Sequence, residues 1–182
     1  MSKLLCEEKT ASEMRESGTD APLSVCFVCT GNTCRSPMAA AVANALAAAE
    51  GEVLPTSMRP FALCRIRAFS AGLYAGEGDP ISEHAVKALE LAGVAALDGC
   101  DYHTHTAHTV TEDDVRRADW LVGMGATHAM ELLMRFPAAA NKIVCMPTPI
   151  SDPFGGDLER YRACLAEITE GVKALFFSEA SR

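Results

Sequence analysis

Residues 23–37 read LSVCFVCTGNTCRSP. The first seven, LSVCFVC, are apolar or β-branched apart from Ser24, with none of the in-out alternation of a half-exposed strand. Such a run suits a central parallel strand covered on both faces. Thr30 to Arg35 then form a short polar loop. Ser36-Pro37 opens a helix, with serine as an N-cap and proline at a position where its missing N–H costs nothing. The unit is strand, loop, helix, and the spacing predicts the helix over residues 37–50.

The same alternation continues down the chain. A second strand is expected over residues 65–70, closed by Ala71-Gly72. Asp79-Pro80 precedes a helix with Ile81, Ala85, Ala88, Leu89 and Ala92 on one face, stopped by Gly93. Thr111 with Asp114 has the spacing of a capping box. Further strands are expected at 119–124 and 141–145, and further helices at 127–136 and 157–177. Strands and helices in alternation with short links predict one α/β domain, a four-stranded parallel sheet flanked by helices on both faces. That domain spans 23–177. A polar, mobile extension at 1–22 precedes it, an irregular insertion with Gly51, Pro55 and Pro60 interrupts it at 51–64, and a tail follows at 178–182.

Composition limits what such a domain can do. The chain has 182 residues, 49% of them hydrophobic, so there is enough apolar material for a full core. Its 16 basic and 24 acidic side chains sum to −8, which argues against nucleic acid or an anionic membrane surface as a broad partner. The longest apolar stretch, 38–49, is far short of the roughly 20 residues a bilayer requires. The N-terminus has no long apolar segment of the export type. A cytoplasmic protein with reduced thiols is expected. Eight cysteines stand at 6, 26, 29, 34, 64, 100, 145 and 164, none in a C-x-x-C pair, so no common zinc or dithiol-exchange spacing is present. Most should be small buried hydrophobes.

Cys29 is the exception. In open α/β sheets, ligands bind beyond the carboxyl ends of the strands, and Cys29 stands at such an end. After it comes T-G-N-T-C-R-S-P, a loop able to turn successive backbone N–H groups toward one point, followed by the positive end of a helix. Gly31 and Asn32 are residue types that accept the positive φ such a curl requires. Arg35 adds a planar fork of donors suited to phosphate oxygens. Ser36 supplies one more hydrogen bond to the sulfur. The arrangement would bind a phosphoryl group and hold Cys29 as a thiolate nucleophile. A general acid for the leaving group is also needed. Asp152, in S-D-P-F-G-G just after the last expected strand, lies at the same edge of the sheet, with Phe154 as an apolar wall beside it.

Together the C-T-G-N-T-C-R-S-P loop and the Asp-Pro loop resemble the low-molecular-weight protein tyrosine phosphatase family. The resemblance extends over about 23–177 and includes Ser70-Ala71-Gly72 and the T-E-D-D…A-D-W-L-V-G-M region. It implies Cys29 as nucleophile, Arg35 as phosphate ligand, Asp152 as acid and then base, and phosphorylated proteins as substrates, with no metal or organic cofactor. Thr30, Gly31, Asn32, Thr33, Cys34, Ser36 and Phe154 would shape the binding loop and the substrate wall. Within the family, C-T-G-N-T-C-R-S-P-M is most similar to the bacterial protein-arginine phosphatase branch. Tyrosine-specific members usually carry a larger apolar residue where this chain has Thr33, and a small polar residue suits a hydrated phosphoguanidinium. Phosphotyrosine remains the alternative substrate. A thiol-dependent arsenate reductase, which shares this loop, needs two more relay cysteines mid-chain, and only Cys100 falls there. The extra segments at 1–22 and 51–64 depart from the family pattern. By the same resemblance Cys34 could capture an oxidised Cys29 as a reversible switch. His103, His105 and His108 match no standard zinc spacing and are expected in a solvated loop.

Overall fold

The computed structural model describes residues 22–53 and 66–177. The expectations for residues 1–21, 54–65 and 178–182 lie outside the described residues. Four strands, β1 (Leu23–Cys29), β2 (Ile66–Gly72), β3 (Trp120–Gly123) and β4 (Ile143–Cys145), form one sheet in the order β2-β1-β3-β4. All pairings are parallel. Leu23 pairs with Ile66 and Cys29 with Gly72 on one side of β1, and Val28 pairs with Gly123 on the other. The helices are α1 (Arg35–Val53), α2 (Glu83–Leu91), α3 (Glu112–Arg117), α4 (Ala126–Arg135) and α5 (Leu158–Phe176). Short 3-10 turns at Tyr102–Thr104 and Pro137–Lys142 have no counterpart in the sequence reading.

The unbroken apolar run of β1 is explained by its two coverings. Val25, Phe27 and Cys29 face a core built with α1, α2 and α5, whereas Cys26 and Val28 face a second core containing Val115 of α3 and Leu132 of α4. Val25, Cys26, Phe27 and Val28 are fully buried, each worth about 1.5–3 kcal/mol of transfer free energy for the larger side chains. Phe27 also meets Phe176 of α5 edge to face at 6.3 Å. Alanines at 39 and 43, both fully buried, let α1 lie close on the sheet. Helix propensity favours the same residues. α3 carries the capping box anticipated for Thr111 and Asp114.

Two boundaries are corrected. Residues 51–53 continue α1 and do not begin an irregular insertion. α1 also starts two residues earlier than residue 37, so Ser36 lies within its first turn and is not its N-cap. Its hydroxyl is used elsewhere, as described below.

The strand order places the chain's change of direction between β1 and β3. From β2 the chain crosses over and returns on the far side of β1, leaving a crevice beyond the carboxyl ends of β1 and β3 where no helix can cover both. The Cys29 loop occupies that crevice. Among the described residues no helix is long and apolar enough to cross a membrane.

Candidate active site

Cys29 ends β1, and the chain turns through Thr30–Arg35 into α1. Its Sγ is 3.0 Å from Ser36 Oγ and accepts the Asn32 backbone N–H at 3.3 Å. Ser36, seven residues along, is therefore held by the sulfur and by Asn32, with Ala71 O at 3.3 Å. It does not cap the helix because it already lies inside the first turn, and its one hydrogen has Cys29 Sγ and Ala71 O within reach.

Asn32 organises the loop. It is the one non-glycine residue at positive φ among the described residues, at 57°. Its side-chain N–H groups donate to Ser36 Oγ at 3.0 Å and Ser70 Oγ at 2.9 Å, and its Oδ1 accepts from the His108 backbone N–H at 3.1 Å. Gly31, expected to share the positive φ, does not adopt it. A Cβ there would meet only Thr33 Oγ1 at 3.8 Å, so what Gly31 contributes is open space. The glycine the loop does require is Gly72 on β2. A Cβ at that position would come within 2.8 Å of Thr30 O and 3.1 Å of Asn32 Cβ. The close approach lets Leu73 N and Tyr74 N bond the carbonyls of Cys29 and Thr30, both at 2.8 Å.

A cavity of about 250 Å³ opens above the loop, lined by Cys29, Thr30, Gly31, Thr33, Cys34, Arg35, Asp152 and Phe154. All three residues expected to carry chemistry therefore meet there. Arg35 is almost fully buried and its Nη2 donates to Asp152 Oδ2 at 2.7 Å. Asp152 is half exposed, on a loop held from α5: Glu167 accepts from Ser151 N and Oγ at 2.8 and 2.9 Å, and Arg160 donates to Asp152 O at 3.2 Å. Phe154 stands largely in solvent at the rim, more open than a buried wall.

Cys34 is buried, with Sγ 3.2 Å from Tyr161 Oη of α5. Tyr161 Oη in turn accepts from Ser82 Oγ at 3.1 Å, and Ser82 N donates to Thr33 O at 2.8 Å. The phenol stays protonated because burial, followed by the contact with Cys34, raises its pKa. Cys26 and Cys164 conform to the bland expectation. Burial pushes both thiols up, that of Cys164 to about 12, which keeps them protonated and unreactive.

The histidine loop departs from expectation. His105 is not a solvated residue: its ring is partly buried and Nε2 lies 2.8 Å from Asn32 O. Burial lowers its pKa, so the neutral ring donates to that carbonyl. His108 Nε2 faces the buried Asp114 Oδ2 at 3.2 Å, which sets the His108 backbone N–H against Asn32. Asp114 is thus both the N3 partner of Thr111 in the α3 capping box and a support for the loop. Burial alone would raise its pKa, but the Thr111 hydroxyl and N–H and the Arg117 guanidinium outweigh that and hold it low. Among the described residues no three His, Cys, Asp or Glu side chains gather as a metal set.

Ser70, His105, His128 and Tyr161 were not singled out as site residues in the sequence. Each reaches the loop from a distant element, and only Ser70, through the Ser-Ala-Gly triplet, left a trace in the chain.

Comparison with known proteins agrees with this geometry. Residues 24–181 match the family model for low molecular weight phosphotyrosine protein phosphatase. A protein-arginine-phosphatase of Geobacillus stearothermophilus is 33% identical over 154 residues, 81% of this chain and 89% of that protein. One from Bacillus subtilis is 29% identical over 160 residues, 84% and 94%. The crystal structure of a low molecular weight protein tyrosine phosphatase from T. tengcongensis superposes with a TM-score of 0.70 at 33% identity, covering 84% of this chain and 97% of its own. The loop between β1 and α1, the sheet order and the match across nearly the whole described chain have one explanation: this chain belongs to the low molecular weight phosphotyrosine protein phosphatase family.

Proposed function

We propose that the protein removes phosphoryl groups from phosphorylated proteins through a phosphocysteine intermediate, and that its preferred substrate is phosphoarginine. The observation that carries the reading is the convergence of Cys29, Arg35 and Asp152, from three separate elements, on one cavity.

In this reading the phosphoryl oxygens lie against the loop N–H groups at the start of α1 and the Arg35 fork, donors already fixed in place for the charge that develops during transfer. Cys29 Sγ attacks phosphorus while the bond from phosphorus to the leaving atom breaks. Asp152, protonated at that moment, gives its proton to the departing nitrogen of arginine or oxygen of tyrosine. A water then attacks the cysteinyl phosphate and passes a proton to the Asp152 carboxylate. The P–S bond breaks, and the Cys29 thiolate and inorganic phosphate are released. Ser36 and the Asn32 N–H stabilise the sulfur in both steps.

Thr33 supports the arginine preference. It lines the cavity, where its hydroxyl suits a hydrated guanidinium better than an aryl ring. The two arginine-phosphatase relatives point the same way. Phosphotyrosine is the second reading, favoured by the exposed aromatic ring of Phe154 at the rim. The test compares kcat/KM on phosphoarginine and phosphotyrosine peptides, with Cys29→Ser as control. The proposal expects higher kcat/KM on phosphoarginine and loss of both activities in the control. Equal rates on the two peptides would remove the arginine preference, and survival of activity in Cys29→Ser would remove the mechanism.

A further inference from the structure

α4 brings to the loop a side chain that this mechanism does not use. His128 is 8% exposed, and its Nε2 lies 3.2 Å from Thr30 Oγ1. Among the described residues its other ring nitrogen, Nδ1, is buried without a hydrogen-bond partner. A neutral imidazole has one proton to place on two nitrogens. On Nδ1 it would be a buried N–H with no acceptor, among the rarest arrangements in folded proteins. On Nε2 it is donated to Thr30. A second proton is disfavoured, since burial and the Arg35 charge oppose it and outweigh the pull of Asp152 and Glu131.

The polarity of this one contact decides what Thr30 can offer. With Nε2–H donating, the Thr30 oxygen is the acceptor and its own hydrogen is free for another partner. In the reverse polarity Thr30 would spend that hydrogen on His128 and present only lone pairs to an anion. Thr30 lines the same cavity as Cys29, Arg35 and Asp152. We propose that His128 is a positioning residue, donating Nε2–H to Thr30 so that the Thr30 hydroxyl becomes a hydrogen-bond donor to a phosphoryl oxygen held over Cys29. The proposal rests on reading the cavity as the phosphoryl site, and it gives α4 a part in binding that charge.

Inorganic phosphate, titrated by ³¹P NMR, serves as the probe, because its binding reports on the donor without needing turnover. Thr30→Val should weaken phosphate about tenfold, the usual worth of a hydrogen bond to a charged group. His128→Leu should weaken it at least about threefold, and the double variant should be no weaker than Thr30→Val, because the two act through one hydrogen bond. His128→Gln, whose amide N–H can still donate, should lie between wild type and His128→Leu, and thermal melting of each variant separates this effect from folding. Unchanged phosphate affinity in a folded His128→Leu protein, a folded His128→Gln protein as weak as His128→Leu, or effects that multiply in the double variant would overturn the proposal. Activity that survives Cys29→Ser would instead count against the catalytic reading, whatever the phosphate titrations give.

Discussion

Arg35 and Asp152, 117 residues apart in the chain, form an ion pair of 2.7 Å across the Cys29 cavity. Arg35 is buried and Asp152 is half exposed, so the carboxylate compensates the guanidinium while remaining wet. A phosphoryl group bound in the cavity competes with Asp152 for Arg35. Half-exposed pairs are worth at most about 1 kcal/mol, so that competition is mild. Asp152→Asn should therefore bind inorganic phosphate up to about fivefold more tightly, while kcat falls about 10²- to 10³-fold for want of a proton donor. Steady-state kinetics with phosphate as a competitive inhibitor reads both effects. An unchanged kcat would exclude Asp152 as the acid.

Thr33 is the most economical place to move specificity, since it lines the cavity and its backbone is already anchored by Ser82. Thr33→Ile replaces a hydroxyl by a larger apolar branch. Its kcat/KM should shift toward phosphotyrosine relative to phosphoarginine by about tenfold or more, the scale of a lost polar contact in a specificity pocket. A ratio unmoved by the substitution would mean that other residues set the preference.

Asn32 combines a left-handed backbone with three side-chain hydrogen bonds, two of them buried. Asn32→Ala should destabilise the protein by about 2–3 kcal/mol, from orphaned partners and backbone strain. Asn32→Gly should recover only the strain, because glycine accepts the φ but cannot hold Ser36, Ser70 or His108. Urea unfolding of the two variants tests the split. Equal loss in both would show that strain contributes nothing.

Cys34 sits five residues beyond Cys29 in the same loop and is held by Tyr161. Peroxide should inactivate the enzyme and a dithiol should restore it, through a sulfenic acid on Cys29 captured by Cys34. Cys34→Ala should be inactivated by peroxide with little recovery. Full recovery in that variant would rule out the capture.

Asp114 links acid stability to the site. Its folded-state pKa is depressed, so its contribution is present above the unfolded carboxylate value near 3.9 and is lost as pH falls through the lower folded value. The melting temperature should hold steady down to about pH 5 and drop below about pH 4. Asp114→Asn should melt lower at neutral pH and lose less on acidification. A variant that loses as much on acidification as wild type would show that other carboxylates carry the effect.

Much of this was legible locally. The apolar run of β1, the Thr111 capping box, and the Cys29, Arg35 and Asp152 triad can each be read from neighbours in the chain, because strand burial, helix caps and a loop at a strand end have short-range signatures. The misreadings arose where a residue had two possible partners. Ser36 looked like a cap because the chain shows the helix it begins and hides the sulfur it bonds. Gly31 and Asn32 both read as residues for the curl, but only Asn32 takes the positive φ, and the close approach falls on Gly72 of another strand. His103 is exposed as expected, but His105 and His108 look solvated only because nothing near them in sequence reveals Asn32.

The sequence alone determined the class of fold and the chemical groups available to the site, since both depend on composition and on spacing within a few residues. Only the tertiary structure decided which groups hold the loop in shape. His105 and His108 come from the loop before α3, Ser70 from β2 and Tyr161 from α5, and His128 of α4 reaches Thr30 across 98 residues of chain. A hydrogen bond depends on distance and direction in space, and the parallel crossovers that bring these elements together leave no local mark on the residues they join.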